Sequence, residues 1–406
     1  MMRYTHDTII IGGGLVGMTT ALALAASGIR SAVVDSADLD ATLAAGFDGR
    51  ASAIASATWR MLAALGLDAE LEPKGCPIRE IRVTDGLSPL HLHFDGTGDA
   101  SGEPLGSMFE NRHLRMALVA AGAASPHIDV YAPDAAATIE RAEAGVTLRL
   151  ASGGTLSAPL IIAADGRRSK IREDAGIRIA AWSYHQTAIV GMIEHEVPHG
   201  NVAFELFYPA GPFAVLPMLP GTRSAIVWTV RERDAAATLA LPERALIAEI
   251  DKRMGGFLGK VRLAAKPSSF PLGFHHAERY TDRRLILVGD SAHGMHPIAG
   301  QGLNLGLRDS AALADVLAEA VRLGLDLGDP QVLARYQRWR GFDSMSVMGA
   351  TDVLNKLFAI PGRPAALVRR LGLAGVHRLP PLKRFFMAEA RGASGDLPSL
   401  LRGDLP

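Results

Sequence analysis

Near its start the chain carries a short apolar run, Thr8-Ile9-Ile10-Ile11, closed by glycine. A run of that length, rich in β-branched residues and without alternation, predicts a strand buried on both faces. Gly12 to Gly17 then reads as a tight turn, Met18 to Ser27 as a helix of small and apolar residues, and Ser31 to Asp35 as a second strand, which together predict one βαβ unit. Further along the period changes to two. Ile78 to Phe94, Thr147 to Leu150 and Ala188 to Val230 alternate apolar with polar residues and predict antiparallel strands, with turns at Pro209-Ala210-Gly211-Pro212 and Pro220-Gly221. From Asp282 the strand, glycine turn and long helix return. Ala311 to Leu323 and most of Val332 to about Met387 read as helical, with breaks at Pro361, Pro364 and Pro380-Pro381. No internal repeat or long linker interrupts this order.

One segment needs separate treatment, because Thr8 to Ile29 carries no charge and is long enough to cross a bilayer. Gly12, Gly13, Gly14 and Gly17 interrupt it near its start, which favours strand, turn and helix over a signal peptide or anchor. Charge narrows the picture further: 42 Lys and Arg balance 42 Asp and Glu over 406 residues, which argues against nucleic-acid binding by bulk charge. The length suits two or three folding units, and 48% hydrophobic residues suffice for sizeable cores. Cys76 is the single cysteine, so no intrachain disulfide and no cysteine-built zinc or iron–sulfur site can form, and a reducing compartment fits best. Many of the 43 glycines fall in short turns, as a ligand-cradling backbone requires.

Gly12-Gly13-Gly14-Leu15-Val16-Gly17 matches the G-x-G-x-x-G fingerprint between a predicted strand and a predicted helix. Gly12 permits the turn, Gly14 lets backbone approach a diphosphate, and Gly17 lets helix pack on strand. The helix N-terminus then faces negative charge, and Asp35 stands where an acid meets ribose hydroxyls. This motif leaves FAD and NAD both open. A second signal favours FAD: the strand Arg284 to Val288 ends in Gly289-Asp290, followed by His296-Pro297-Ile298-Ala299-Gly300-Gln301-Gly302-Leu303-Asn304 and a long helix. Asp290 is placed to hold a ribityl hydroxyl, and the second helix N-terminus to face the pyrimidine side of a flavin. A metal site at His293 and His296 lacks a supporting carboxylate pattern, and Ser291 lacks the G-x-S-x-G elbow of a hydrolase.

With Ala164-Asp165-Gly166-Arg167-Arg168-Ser169 added between these two, the chain resembles the class A flavoprotein monooxygenases, and within them the ubiquinone-biosynthesis aromatic hydroxylases related to para-hydroxybenzoate hydroxylase. The His296 to Gly306 segment and Gly211-Pro212-Phe213-Ala214-Val215-Leu216-Pro217 resemble that branch in particular. The resemblance implies that Gly12, Gly14, Gly17, Asp35, Asp165, Gly166, Gly289 and Asp290 hold FAD. It further implies that Pro297, Gly300, Gln301, Gly302, Leu303 and Asn304 surround the flavin ring, and that Arg50 and Arg112 stand beside the cofactor. Pro297, Gln301 and His296 are the catalytic candidates, by proximity to the ring. Two positions depart from the pattern: Asp35 where glutamate is usual, and Ser291 where alanine is common.

The fold class implied is α/β: a Rossmann-like FAD-binding domain from 1–74, 100–180 and 278–345, an inserted mixed β-sheet substrate domain from 75–99 and 181–277, and a C-terminal helical region, 346–406. Phe204, Phe207, Tyr208, Phe213, Val215 and Pro217 are candidate pocket residues, with ordinary sheet core as the alternative. By resemblance the reaction is hydroxylation of a polyprenylated phenol through a flavin hydroperoxide, with oxygen as co-substrate and NAD(P)H as donor. Open beside it are hydroxylation of a soluble aromatic and a catalytically silent flavin-binding scaffold; a halogenase or prenyl reductase is disfavoured by the missing Trp-x-Trp-x-x-Pro element. Lys356 to Pro406 carries nine Lys and Arg against three acids, so either a membrane-docking basic face or a solvated helical subdomain is expected. The expected setting is the cytoplasm, with the inner membrane face as a docking surface, and other ubiquinone-synthesis proteins or further copies of the chain as partners.

Overall fold

The computed structural model describes residues 4–44, 49–89, 91–96, 102–297, 300–360 and 386–406. Its α/β architecture is the one the sequence predicts. The strands Thr8–Ile11, Ser31–Val34, Leu160–Ala163, Leu285–Leu287 and Ile128–Tyr131 lie parallel in one sheet, with the short Thr281–Asp282 antiparallel at one edge. Ile9, Ile10, Ala32, Val33, Ile161 and Ile162 are fully enclosed, as strands covered on both faces must be.

Helix Leu15–Ala25 is buried along most of its length, between this sheet and helix Gln301–Arg322. Its threonines do not violate the apolar setting: Thr19 donates to the Leu15 carbonyl at 2.7 Å and Thr20 to the Val16 carbonyl at 2.8 Å. No helix among the described residues is long and apolar enough to cross a membrane, and the uncharged stretch after Thr8 is divided between strand and helix.

A second, larger sheet gathers Ile179–His195, Val202–Tyr208, Gly211–Met218, Arg223–Arg231 and Ser268–Ala277, and Glu80–Asp85 with His91–Asp95 extends it along Val202–Tyr208. Alternation gives this sheet two apolar faces. On one, Ile189, Phe213, Val215, Ile226 and Trp228 pack beneath the helices Glu232–Leu239 and Glu243–Met254. On the other, Met192, Ala203, Phe207, Met218 and Ala225 pack against Cys76, Ile78 and Met108 of a small sheet formed by Ala51–Ala55, Gly106–Glu110 and Cys76–Ile78. His293–Gly294 pairs with His275–His276, so the chain just after Gly289-Asp290 hooks the nucleotide layer to the large sheet. Helix Pro330–Ala359 starts on an Asp329 side chain that accepts from the Gln331 amide, with proline in its first turn. It ends just before Pro361, and the predicted helical stretch from there to Phe385 lies outside the described residues.

Gly17 is where helix and strand approach most closely: a Cβ there would stand 1.8 Å from the Gly12 carbonyl oxygen. Gly17→Ala is therefore expected to destabilise the fold by about 1–3 kcal/mol, as overpacking does, seen as a lower urea midpoint at unchanged slope.

Candidate functional site

Three segments distant in sequence meet beyond the carboxyl ends of the parallel strands. Gly12 has φ +106°, and a Cβ on it would lie 2.4 Å from the Ala164 carbonyl oxygen, so the first turn sits directly on the Ala164-Asp165-Gly166 turn. Val16 lies against Gly289 and Gly306, where added Cβ atoms would stand 3.1 and 2.9 Å from its methyls. Ser291 joins the other two segments: its hydroxyl donates to the Ala163 carbonyl at 2.6 Å and accepts from the Val288 amide at 3.1 Å, while its carbonyl accepts from Arg172 at 3.0 Å. Alanine would lose both hydroxyl bonds, so the departure at Ser291 has a structural role.

The surroundings of these turns fit a dinucleotide. Gly14, Gly166 and Gly302 have nothing within 4 Å of where a Cβ would be, so their backbone is open to a ligand. One carboxylate oxygen of Asp165 is buried without a partner, and burial raises its pKa above the ordinary range. Helix Leu15–Ala25 has no side-chain cap at Gly14, which leaves amide hydrogens at its N-terminus for an anion. Asp35 already accepts from the Gly13 amide at 2.5 Å and the Ala37 amide at 2.8 Å, and Asp290 is exposed while its carbonyl accepts from His275 at 2.8 Å.

Around the second helix N-terminus the residues divide by role. Gly300 has φ +63° and abuts Ala53. Asn304 accepts from the Ala55 amide at 2.9 Å and donates to the Ala53 and Gly300 carbonyls, so its amide fastens the turn to strand Ala51–Ala55. Leu303 turns into the core with Leu15, Ile54 and Leu307, while Gln301 and Pro297 stay part-exposed. Arg50 lies over the Phe270 ring at 5.3 Å, and Arg112 donates to the Leu43 carbonyl at 2.7 Å.

The large sheet separates the pocket candidates. Phe207 is on the face shared with Ala51 and Ala53, towards the Gly300 turn. Phe204, Phe213 and Val215 are on the helix-covered face, Phe204 against Phe257 at 4.4 Å and Phe213 against Trp228. Pro217 is buried two positions beyond Val215. Tyr208 donates to the Arg253 carbonyl at 2.7 Å and borders a cleft of about 560 Å³ with Trp228 and Lys252. That cleft lies on the helix-covered face, opposite the face that carries Phe207 and shares Ala53 with the Gly300 turn.

Sequence reasoning passed over a charged group beneath the site. Asp309 has no exposed surface, yet it accepts from the Gly289 amide at 2.9 Å, from His293 at 2.6 Å and from Arg340 at 2.6 Å. Burial alone would raise its pKa; His293 and Arg340 outweigh that and hold it below the ordinary value. In sequence Asp309 sits beside Arg308 on a helix that also carries Asp315, Glu319 and Arg322, so no local signal marks it as buried. Arg340→Met strands this carboxylate and is expected to cost about 3–5 kcal/mol, measured by urea unfolding. The double variant with Asp309→Asn should lose less than the sum of the two single changes.

His296 is fully buried and neither ring nitrogen has a partner among the described residues; Tyr184 meets the ring edge-on at 5.2 Å. Burial pushes its pKa down to about 4, with Asp352 opposing. The unfolded chain therefore binds more protons than the folded one between about 4 and ~6.5, and stability falls as pH drops through that window. His296→Gln should shrink the loss in unfolding free energy between pH 7 and pH 4.5 by about 2–3 kcal/mol, from ~1.4 kcal/mol per pKa unit.

Comparison with known proteins agrees with this geometry. Residues 5–348 match the family described as FAD binding domain. The chain is 48% identical to the ubiquinone hydroxylase UbiL of Rhodospirillum rubrum, over 98% of this chain and 92% of that one. It is 34% identical to the 3-demethoxyubiquinol 3-hydroxylase of Escherichia coli K12, over 97% and 100%. Among solved structures, p-nitrophenol 4-monooxygenase PnpA from Pseudomonas putida DLL-E4 superposes with a TM-score of 0.79 at 19% identity, covering 97% of this chain and 99% of that one, which shows the shared fold. The chain thus belongs to the FAD binding domain family, as a class A flavoprotein monooxygenase.

Proposed function

We propose that this chain is an FAD-dependent monooxygenase that hydroxylates the aromatic ring of a polyprenylated phenol in ubiquinone biosynthesis. The observation that carries the reading is the 48% identity with a ubiquinone hydroxylase over nearly the whole of both chains. FAD, when reduced, supplies the electrons that divide molecular oxygen between the ring and water. In this reading the helix N-terminus after Gly14 holds the diphosphate, Asp35 and Asp290 take ribose and ribityl hydroxyls, and the Gly300-Gln301-Gly302 turn borders the flavin ring beside Pro297. His296, neutral and enclosed, keeps charge and water away from that border. The sheet face carrying Met192, Phe207, Leu216 and Met218 offers the apolar surface that a prenylated ring requires.

NAD(P)H is the donor in the same reading, and the protein docks peripherally on the inner face of the cytoplasmic membrane, where its substrate dissolves, alone or among other enzymes of the pathway. Support for docking is the basic C-terminal segment; of its cations, Arg363, Arg369, Arg370, Arg378, Lys383 and Arg384 lie outside the described residues. The deciding experiment is mass analysis of lipid extracts from a strain lacking this gene and from its complemented control. Expected are loss of ubiquinone and accumulation of a precursor one hydroxyl short; normal ubiquinone in a strain without a redundant hydroxylase refutes the assignment.

A further inference from the structure

On the sheet face turned towards the glycine turns, an acid interrupts the apolar pattern. Glu205 stands between Ala203 and Phe207 on strand Val202–Tyr208, with Val83 and Ala214 beside it on the neighbouring strands. Ala203 and Phe207 belong to the apolar cluster that Ala51, Ala53 and Val83 also join, and Ala53 is bonded to Asn304 at the second helix N-terminus. Because side chains alternate, the Glu205 carboxyl projects onto that face and away from Phe204 and Leu206. It has no hydrogen-bond or ion-pair partner among the described residues, and it is part-buried, so its carboxyl stays reachable. Burial alone raises its pKa to about 8, with no neighbouring charge contributing.

An unpaired carboxyl in such a place costs stability unless something polar comes to meet it. The other ionisable groups on this face and on the elements packed against it do not play that part; on helix Pro330–Ala359, which also contacts strands Val202–Tyr208 and Gly211–Met218, Lys356 is paired with Asp352 at 2.7 Å. Arg223 is tied to Glu110 at 3.0 Å, Arg50 lies over Phe270, and Glu194 is paired with Arg262. Asp85 sits one pleat on, opposite Phe207; Arg391 bonds the Gly96 and Glu103 carbonyls; the buried Cys76 thiol is pushed up to about 11. Thr229 and Gln186, on strands of the same sheet, each bury an oxygen without a partner, so polar capacity unused by the protein is present in the sheet as well.

We propose that Glu205 accepts the proton of the substrate's phenolic hydroxyl and thereby fixes the orientation of the ring. This rests on the function proposed above. In the step the phenol O–H bond breaks, its electron pair stays on the phenol oxygen, and the proton forms an O–H bond on a Glu205 oxygen; no oxidant or reductant takes part. The electron-rich phenolate is the form that takes up an electrophilic oxygen atom. Once the ring has done so and shed its own C–H proton to solvent, the proton on Glu205 returns to the product's oxygen. An ordinary carboxylate is a poor base for a phenol of pKa ~10, and raising the carboxyl towards that value narrows the mismatch. Below about pH 8 the group is a neutral acid, so kcat/KM should climb with pH through that region as the base form appears.

The test uses full-length, FAD-loaded protein with a polyprenylated phenol and NAD(P)H, comparing the wild type with Glu205→Gln and Glu205→Asp. Expected is a wild-type kcat/KM rising through about pH 8, a fall of roughly 10²–10⁴-fold in Glu205→Gln with that rise abolished, and partial activity in Glu205→Asp with the rise retained. FAD content should be equal in all three. A second readout needs no turnover: the infrared carbonyl band of a protonated carboxyl group, titrating near pH 8 in the wild type and missing from Glu205→Gln. A Glu205→Gln protein with wild-type activity and an unchanged pH profile overturns the proposal while leaving the hydroxylase reading intact. A wild-type protein that holds FAD but consumes no oxygen with the phenol overturns both.

Discussion

Asp309 is a carboxylate with no exposed surface, and everything around the site is arranged so that it can remain one. Removing a charge from water costs several kcal/mol even after relaxation, and only close, well-aligned partners return that cost. Here they come from three directions: the Gly289 amide, the His293 ring and the Arg340 guanidinium. Each belongs to a different part of the fold. Gly289 lies in the turn after the last parallel strand, His293 starts the short pairing that joins the large sheet, and Arg340 sits in helix Pro330–Ala359. The nucleotide layer, the large sheet and the C-terminal helix are therefore coupled through one anion. Arg340 also bonds Asp343, which pairs in turn with Arg308, so the ion pairs continue along the seam between the two long helices. Below this network a misplaced helix would strand a charge, which gives the assembly a sharp preference for one arrangement.

The large sheet solves a different problem, since it must be a wall on one side and a floor on the other. A half-buried sheet would spend one face on solvent. This one buries both, with the helices Glu232–Leu239 and Glu243–Met254 closing the far face and the small sheet closing the near one. Ala203, Ala214 and Ala225 keep the near face shallow, and Met192, Leu216 and Met218 make it adaptable, a combination suited to a flat ring with a flexible apolar tail.

Local features were the legible ones. The βαβ unit and the three glycine turns could be read because a fully buried strand and a residue forced to positive φ each leave a mark within a few positions; Gly12 and Gly300 show it. Which face of a strand looks at a ligand is not local. In sequence Phe204, Phe207, Phe213 and Val215 all read alike as candidate pocket residues, because which of them lies beneath helices depends on where Glu243–Met254 crosses the sheet. Asp309 and Arg340 are 31 positions apart on separate helices, and in sequence each looks like an ordinary charge on an amphipathic helix. Asn304 was recognisable as a residue of the turn, whereas its bonds to Ala53 and Ala55 depend on a strand about 250 residues earlier.

Where the chain leaves polar groups unsatisfied is as informative as where it satisfies them. Thr19, Thr20, Ser291 and Asp309 are buried and fully bonded, so this fold can provide partners when stability alone is at issue. Asp165 at the first two glycine turns, His296 at the third and Glu205 on the facing sheet are different: each holds a buried or deep polar atom with no partner. Every such group costs about 1–3 kcal/mol, a substantial part of the stability of a domain. Unpartnered buried atoms occur elsewhere too, among them Ser27 Oγ, His127 Nδ1 and Asp251 Oδ1, but Asp165, His296 and Glu205 stand on three separate elements around the glycine turns. In the proposed function these three are the groups that a cofactor, a reacting ring and an apolar wall would meet, so local unsatisfied polarity and ligand chemistry coincide there.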